Sequence, residues 1–474
     1  MRSAEKPLLV PYIIAAALFM EQLDSTIIGT ALPTIAEALH ASPLHLSGAI
    51  TAYLLSLSVF IPLSGWMADR YGARRVFMAA IVIFTLGSAL CGQAGSLVEL
   101  IAARAVQGIG GAMMSPVGRI VLIRSTPRSG LVRAMAFVTL PALMGPVLGP
   151  PLGGFIATYA SWRWIFYLNL PIGLAGLALA YAFVPDDRTE DPPPFDLMGW
   201  ILSGLGLALV VLSVETVGRG LMPPAATAAI AALGLGLLLL YVRHAGRVTR
   251  PILPVDLFRI PSYRVAILGG AVYRVGIGAI PLLLPLMLQL GFGLSPLDSG
   301  LLTLASAVGA LSMKATAPSI LRRFGFRPVL VGNAVLSGLL IMAYGLLRPD
   351  TPPAAIFVLL LVSGFFRSLQ FTSVNTLAFA DIPDRRVSQA SSLSSTAQQL
   401  FLTLGVGLGA ALVQLVMIGR GGSVPEAQDF AIAFAAIGLV ALSSVLVFRT
   451  LPPGAGDAVS GYRSPAPLQP DASD

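Results

Sequence analysis

Long apolar runs, separated by short polar segments, set the organisation of this chain. A run of roughly 20 mostly apolar residues is long enough to cross a bilayer as a helix. Fourteen such runs are predicted, near residues 8–32, 47–68, 76–94, 97–122, 132–157, 164–184, 197–215, 225–243, 264–290, 297–318, 328–347, 354–379, 394–418 and 431–449. The first is too long for a signal-peptide core and has no convincing cleavage site, so it reads as a retained helix. The fold class expected is an all-α polytopic membrane protein.

Composition agrees: 56% of the 474 residues are hydrophobic and 11% charged, unlike any soluble domain. The net charge of +8 raises the question of nucleic acid as a partner. The distribution of the basic residues excludes it. Alternate loops gather most of them, among others Arg70, Arg74 and Arg75, then Arg124, Arg128 and Arg133, then Arg243, Arg247, Arg250, Arg259 and Arg264. The opposite loops hold Arg163, Arg219, Arg348 and Arg420. By the positive-inside rule the basic side is cytoplasmic, and an even number of helices places both termini there. The single cysteine, Cys91, lies inside an apolar run, so no disulfide framework is expected.

The polar exceptions inside the runs carry the candidate chemistry. Glu21 and Asp24 stand three residues apart in the first helix and therefore share a face. An ionised carboxylate at that depth costs several kcal/mol unless it meets a partner or an aqueous cavity. Two readings stay open: a proton-coupling pair, or a structural pair buried against basic residues. Arg104, Arg274, Lys314 and Arg367 are further charges within helices. His40, His45 and His244 lack ligand spacing, and Lys6 and Lys314 do not sit in a phosphate-loop motif, so neither a metal nor a nucleotide is expected. The cofactor expected is none, with a proton gradient as the energy source.

Weak internal repetition suggests two six-helix halves. Gly65 to Arg75, with Asp69, Arg70, Gly72 and Arg74, resembles Arg322 to Arg327. Arg104-Ala-Val-Gln107 likewise resembles Arg367-Ser-Leu-Gln370. Such repeats are common in transporter folds. The division expected is 1–184 for the first half, 185–243 for a linker and two additional helices, 244–449 for the second half and 450–474 for a disordered tail. In the fifth helix Gly145, Gly149 and Gly153 line one face, with Gly154 beside them, which permits close helix approach. Pro146, Pro150 and Pro151 loosen the same helix, because proline removes a backbone donor.

These stretches resemble the major facilitator superfamily, and within it the fourteen-helix drug:proton antiporter family with its EmrB/QacA-like and MdtD-like branches. Leu23 to Pro33 resembles the family's first-helix motif, with Gly29 where an asparagine is usual. Gly65 to Arg75 matches the signature loop, Arg104 to Gly111 the fourth-helix motif and Gly145 to Gly154 the antiporter motif. Trp162 to Pro171 and Asp256 to Arg259 are further family-like stretches.

The resemblance implies a secondary transporter, not an enzyme, in the bacterial cytoplasmic (inner) membrane. Its partners would be a small-molecule substrate, protons and the lipid bilayer, and it would function as a monomer. Asp24 with Glu21 would exchange the proton, with Arg104 coupled to them. Gln107, Arg274, Lys314, Arg367, Gln370, Tyr53 and Asn375 would line a substrate cavity. If all the charges face that cavity its sum is positive, which makes a specific anionic or zwitterionic metabolite an alternative to drug export. A non-transporting membrane sensor or scaffold is the alternative from another class.

Overall fold

The computed structural model describes residues 6–126, 131–185, 194–217, 222–383, 386–460 and 462, and all regular structure among them is helical. The long helices are α1 (Lys6–Ala38), α2 (Ser47–Tyr71), α3 (Ala73–Gln93), α4 (Leu97–Ser125) and α5 (Leu131–Tyr159). After them come α6 (Trp164–Phe183), α7 (Leu197–Thr216), α8 (Pro224–Ala245), α9 (Pro261–Gly291) and α10 (Pro296–Phe324). The last four are α11 (Phe326–Tyr344), α12 (Pro353–Ala380), α13 (Val387–Gly419) and α14 (Ala427–Phe448). Among the described residues 13 helices are long and apolar enough to cross a membrane, and α5, described only in part, adds one more at an expected position. The chain is a multi-pass membrane protein.

Most of the helices outrun the apolar segments that predict them. α1 continues through Glu37, and α10 through Arg322 and Arg323. Hydrophobicity ends at the bilayer boundary, whereas backbone hydrogen bonding continues where polar side chains meet water. The proline-rich linker at 186–193, the tail from 463, and Arg2, Arg128, Arg188, Arg219 and Arg385 lie outside the described residues.

Small residues decide which helices touch. α5 lies along α1, and a Cβ added at Gly145, Gly149 or Gly153 would collide with Gln22, Thr26 or the Ile27 carbonyl. α4 packs between α2 and α3, where Gly108 abuts Tyr53 and Gly110 abuts Phe84. In the second six-helix set α12 packs on α10, α11 on α14, and α9 on α13. α7 and α8 form a hairpin whose α7 leans on both α2 and α13. Leu86, Leu90, Leu174 and Leu239 point outward, as lipid-facing residues do.

The two six-helix sets meet closely at the end where α1 finishes. Gly154 abuts the Pro296 carbonyl, and Gly300 abuts the Pro150 carbonyl. Gly29 of α1 abuts the Pro281 carbonyl, so the usual asparagine side chain has no room here. Gln289, in a single π-helical turn (Met287–Gly291), donates to the Thr30 carbonyl at 2.9 Å. At the opposite end the loops between α2 and α3 and between α10 and α11 are alike. Gly72 (φ 92°) and Gly325 (φ 73°) both take left-handed backbone and donate to Ala68 and Leu321. Only glycine adopts that conformation without strain.

Candidate functional site

Asp24 sits at the middle of α1, 1% exposed, with both carboxylate oxygens engaged. Its Oδ2 meets Arg104 Nη1 at 2.5 Å. Its Oδ1 accepts from Gln107 Nε2 at 2.9 Å and from Asn169 Nδ2 at 2.8 Å. Both amides also donate to Ser88 Oγ, which ties α1, α3, α4 and α6 together through one polar node. Arg104, also 1% exposed, donates to Gln107 Oε1 at 2.6 Å and lies 4.2 Å over the Tyr53 ring. Cys91 donates its thiol to the same Gln107 oxygen at 3.6 Å.

The cluster follows from residue chemistry. A carboxylate among apolar side chains needs an opposite charge and donors to replace water. A guanidinium and two amides supply both. Glu21, one turn away on the same face, accepts from Ser115 Oγ at 2.7 Å and has no bond to Arg104. The two acids thus share a helix face but have separate partners on α4.

Sequence reasoning assigned Gln107 and Tyr53 to the substrate cavity. The structure instead spends both on the Asp24 cluster, because a glutamine can accept from Arg104 and donate to Asp24 at once. Gln370 is also turned away from the cavity. It accepts from Asn333 at 2.8 Å and donates to the Leu330 carbonyl, both on α11.

Lys314 and Arg367 do come together, in a cleft of about 240 Å³ between the two helix sets. Its lining comes from α5 (Pro146, Val147), α9 (Ile277), α10 (Ala307, Ala310, Leu311, Lys314) and α12 (Arg367, Ser368, Phe371). Arg274 lies behind Phe371, its guanidinium 5.6 Å from that ring, and donates to Asn375 Oδ1 at 2.8 Å. Gly145 faces α1 while Pro146 and Val147 line the cleft, so α5 is the partition between the acid-bearing helix and the cleft.

The loop motif has a definite partner. Asp69 at the end of α2 binds Arg124 at the end of α4 at 2.9 Å. Arg74 binds the Tyr181 carbonyl and lies over its ring, and Arg70 lies in the last turn of α2. Gly65 has open space around it and is not a packing glycine.

Three functional candidates escape sequence reasoning. Asn169 and Ser88 are uncharged, and only Asn169 carried a signal, as a lone amide in an apolar run. Glu215 ends α7, where an acid reads as a solvated helix end, yet it is 8% exposed. It accepts from Thr51 and, at 3.4 Å, from Ser47, both on α2, and it abuts Gly407 of α13.

Comparison with known proteins places this geometry. The sequence profile of the Major Facilitator Superfamily matches residues 14–400 and again 266–471. A protein named for multidrug resistance, MdtD, from Pectobacterium atrosepticum is 39% identical over 445 residues, covering 93% of this chain and 95% of that one. Its namesake from Pectobacterium carotovorum subsp. carotovorum is 41% identical over 403 residues, covering 85% and 86%. The crystal structure of the POT family transporter PepTSo superposes with a TM-score of 0.71 at 14% identity, covering 93% of this chain and 97% of that one. At that identity the likeness is one of fold alone.

Proposed function

The chain belongs to the Major Facilitator Superfamily, and from that premise we propose that it is a proton-coupled antiporter exporting drugs or other small amphipathic molecules by alternating access. The multidrug-resistance name of its MdtD relatives supports the substrate side of this reading. The observation that carries the proton side is the buried Asp24–Arg104 pair with its amide donors.

A proton arriving on Asp24 removes the charge that Arg104 is paired with. The guanidinium then keeps Gln107 and the Tyr53 and Phe166 rings, and the hold of α4 on α1 weakens. In a site of low dielectric that change is large, because an ion pair there is strong and an unpaired ion is costly. α1 lies against the glycine stripe of α5, and α5 lines the cleft, so the loosening has a mechanical route to the substrate side. Glu21 is the auxiliary acid in this scheme. Asp69 and Arg124 hold helix ends together in one of the two conformations, with Gly72 and Gly325 as the turns about which the helix pairs are arranged.

The cycle is read as needing no cofactor and no catalytic step, with the proton gradient as its energy source. The protein would work as a monomer in the cytoplasmic membrane, with both termini and the Gly72 and Gly325 loops inside. That orientation follows from the basic residues gathered at that end.

The test is proton movement in proteoliposomes loaded with a pH-sensitive dye. Addition of ethidium or naphthalene-1-acetate to a gradient-free preparation should drive protons against the probe that is carried. Binding of a probe without proton movement would favour a sensor over a transporter.

A further inference from the structure

We propose that the cleft between α5, α9, α10 and α12 is an anion-binding site, and that the exported molecule is an amphiphile carrying a carboxylate or phosphate group. This rests on the reading of the protein as an exporter and adds the charge of its cargo.

The first observation is a charge imbalance. α5, α9 and α12 contain no aspartate or glutamate, and the one acid of α10, Asp298, lies in its first turn, bonded to Ser295. Three cations inside these helices have neutral partners. Lys314 donates to Thr372 Oγ1 at 2.9 Å, Arg367 to Ser306 Oγ at 3.2 Å and Arg274 to Asn375 Oδ1 at 2.8 Å. The nearby acids of the first helix set are occupied, Asp24 by Arg104 and Glu21 by Ser115.

The second observation is independent of charge counting. Arg274 is 3% exposed, and its Nε and Nη1 have no hydrogen-bond partner. A buried ion without a counter-ion is among the costliest arrangements in a membrane protein, and such residues mark substrate or ion pathways. Arg274 stands behind the face of Phe371, a ring that lines the cleft, and Ile277, one turn further along α9, lines it too. Movement of that single ring would join the Arg274 guanidinium to the space already bordered by Lys314 and Arg367.

The shape sets the rest of the ligand. A volume of about 240 Å³ lies just below the range of sites that hold a whole drug-sized ligand. It suits a charged head with a small apolar body. The apolar wall is supplied by Val147, Ile277, Ala307, Leu311 and Phe371. A lipophilic cation would meet Lys314 and Arg367 with no acid to offset them.

Matched probes on one ring system decide the matter: naphthalene-1-acetate and naphthyl phosphate against 1-naphthylmethylammonium, titrated onto the purified full-length protein in nanodiscs. At least one anion should bind more tightly than the cation. Arg274→Gln and Lys314→Gln should each weaken it about tenfold, and Lys314→Arg should restore it. Asp24→Asn should leave anion binding in place while abolishing proton coupling, so failure of the charge proposal is distinguishable from failure of the antiport reading. Equal or tighter binding of the cation, failure of both anions to bind, or anion binding unchanged in the Arg274→Gln, Lys314→Gln double variant would overturn the proposal.

Discussion

Arg104 and Arg367 each stand three residues before a buried glutamine, but Arg104 meets the carboxylate of Asp24 whereas Arg367 meets only the hydroxyl of Ser306. The same Arg-x-x-Gln pattern therefore has two chemical outcomes. In the first helix set it closes an ion pair within the bundle. In the second it leaves a cation beside the cleft at the boundary of the two sets. The acid-bearing ion pair therefore lies on one side of α5 and the cleft cations on the other.

The α5 partition makes a prediction about glycine. Gly149→Ala places a methyl group where Thr26 stands, and Gly153→Ala places one at the Ile27 carbonyl. Overpacking of this kind typically costs about 1–3 kcal/mol. Each variant should lower the melting temperature in detergent and slow transport. Gly65→Ala meets nothing within 4 Å and should be neutral or slightly stabilising, since alanine favours helix over glycine. Parallel thermal melts of the three variants check this ordering.

Glu215 predicts a role for the inserted hairpin. Its carboxylate binds Thr51 and Ser47 of α2 and abuts Gly407 of α13, so α7 spans both helix sets at the end where they close. Glu215→Gln keeps an acceptor for Thr51 and should remain close to wild type in stability. Glu215→Leu strands the hydroxyl and should cost about 1–3 kcal/mol. It should also raise the labelling rate of a cysteine placed at Gly48, which leaves Thr51 in place, from the side where α1 finishes. Equal labelling in both backgrounds would remove Glu215 from the closure of that end.

Much of this was legible in the sequence. Asp24, Arg104 and the glycine stripe stood out because each breaks an apolar run with a residue type that the bilayer penalises or that close packing demands. The turn glycines Gly72 and Gly325 were paired by their repeated setting, and both take positive φ. What was not legible is which way a side chain turns. Gln107 and Gln370 look alike in sequence, yet neither lines the cleft, because each finds a complete set of partners inside its own helix group. Glu215 was missed because it lies at the end of an apolar run, where burial depends on a neighbouring helix rather than on local hydrophobicity.

The connection between α8 and α9 gives a pH prediction. Asp256 makes two bonds to Arg386, at 2.7 and 2.8 Å, and these hold its carboxyl below the ordinary value of 3.8. A depressed carboxylate pKa adds stability that is fully present above 3.8 and is lost as pH falls through the lowered value. Because the pair is exposed, the contribution should be only about 0.2–1 kcal/mol. The melting-temperature difference between wild type and Asp256→Asn should stay constant from neutral pH down to 3.8 and close below it.

The most direct test of the central claim compares Asp24→Asn with wild type in proteoliposomes, for a probe that the wild type carries. One arm measures accumulation driven by an imposed pH gradient, and the other measures exchange of labelled for unlabelled probe with no gradient. Asp24→Asn holds the side chain permanently neutral, so gradient-driven accumulation should vanish while exchange persists. Accumulation by Asp24→Asn that still follows the pH gradient as the wild type does would contradict the assignment and move the proton to Glu21.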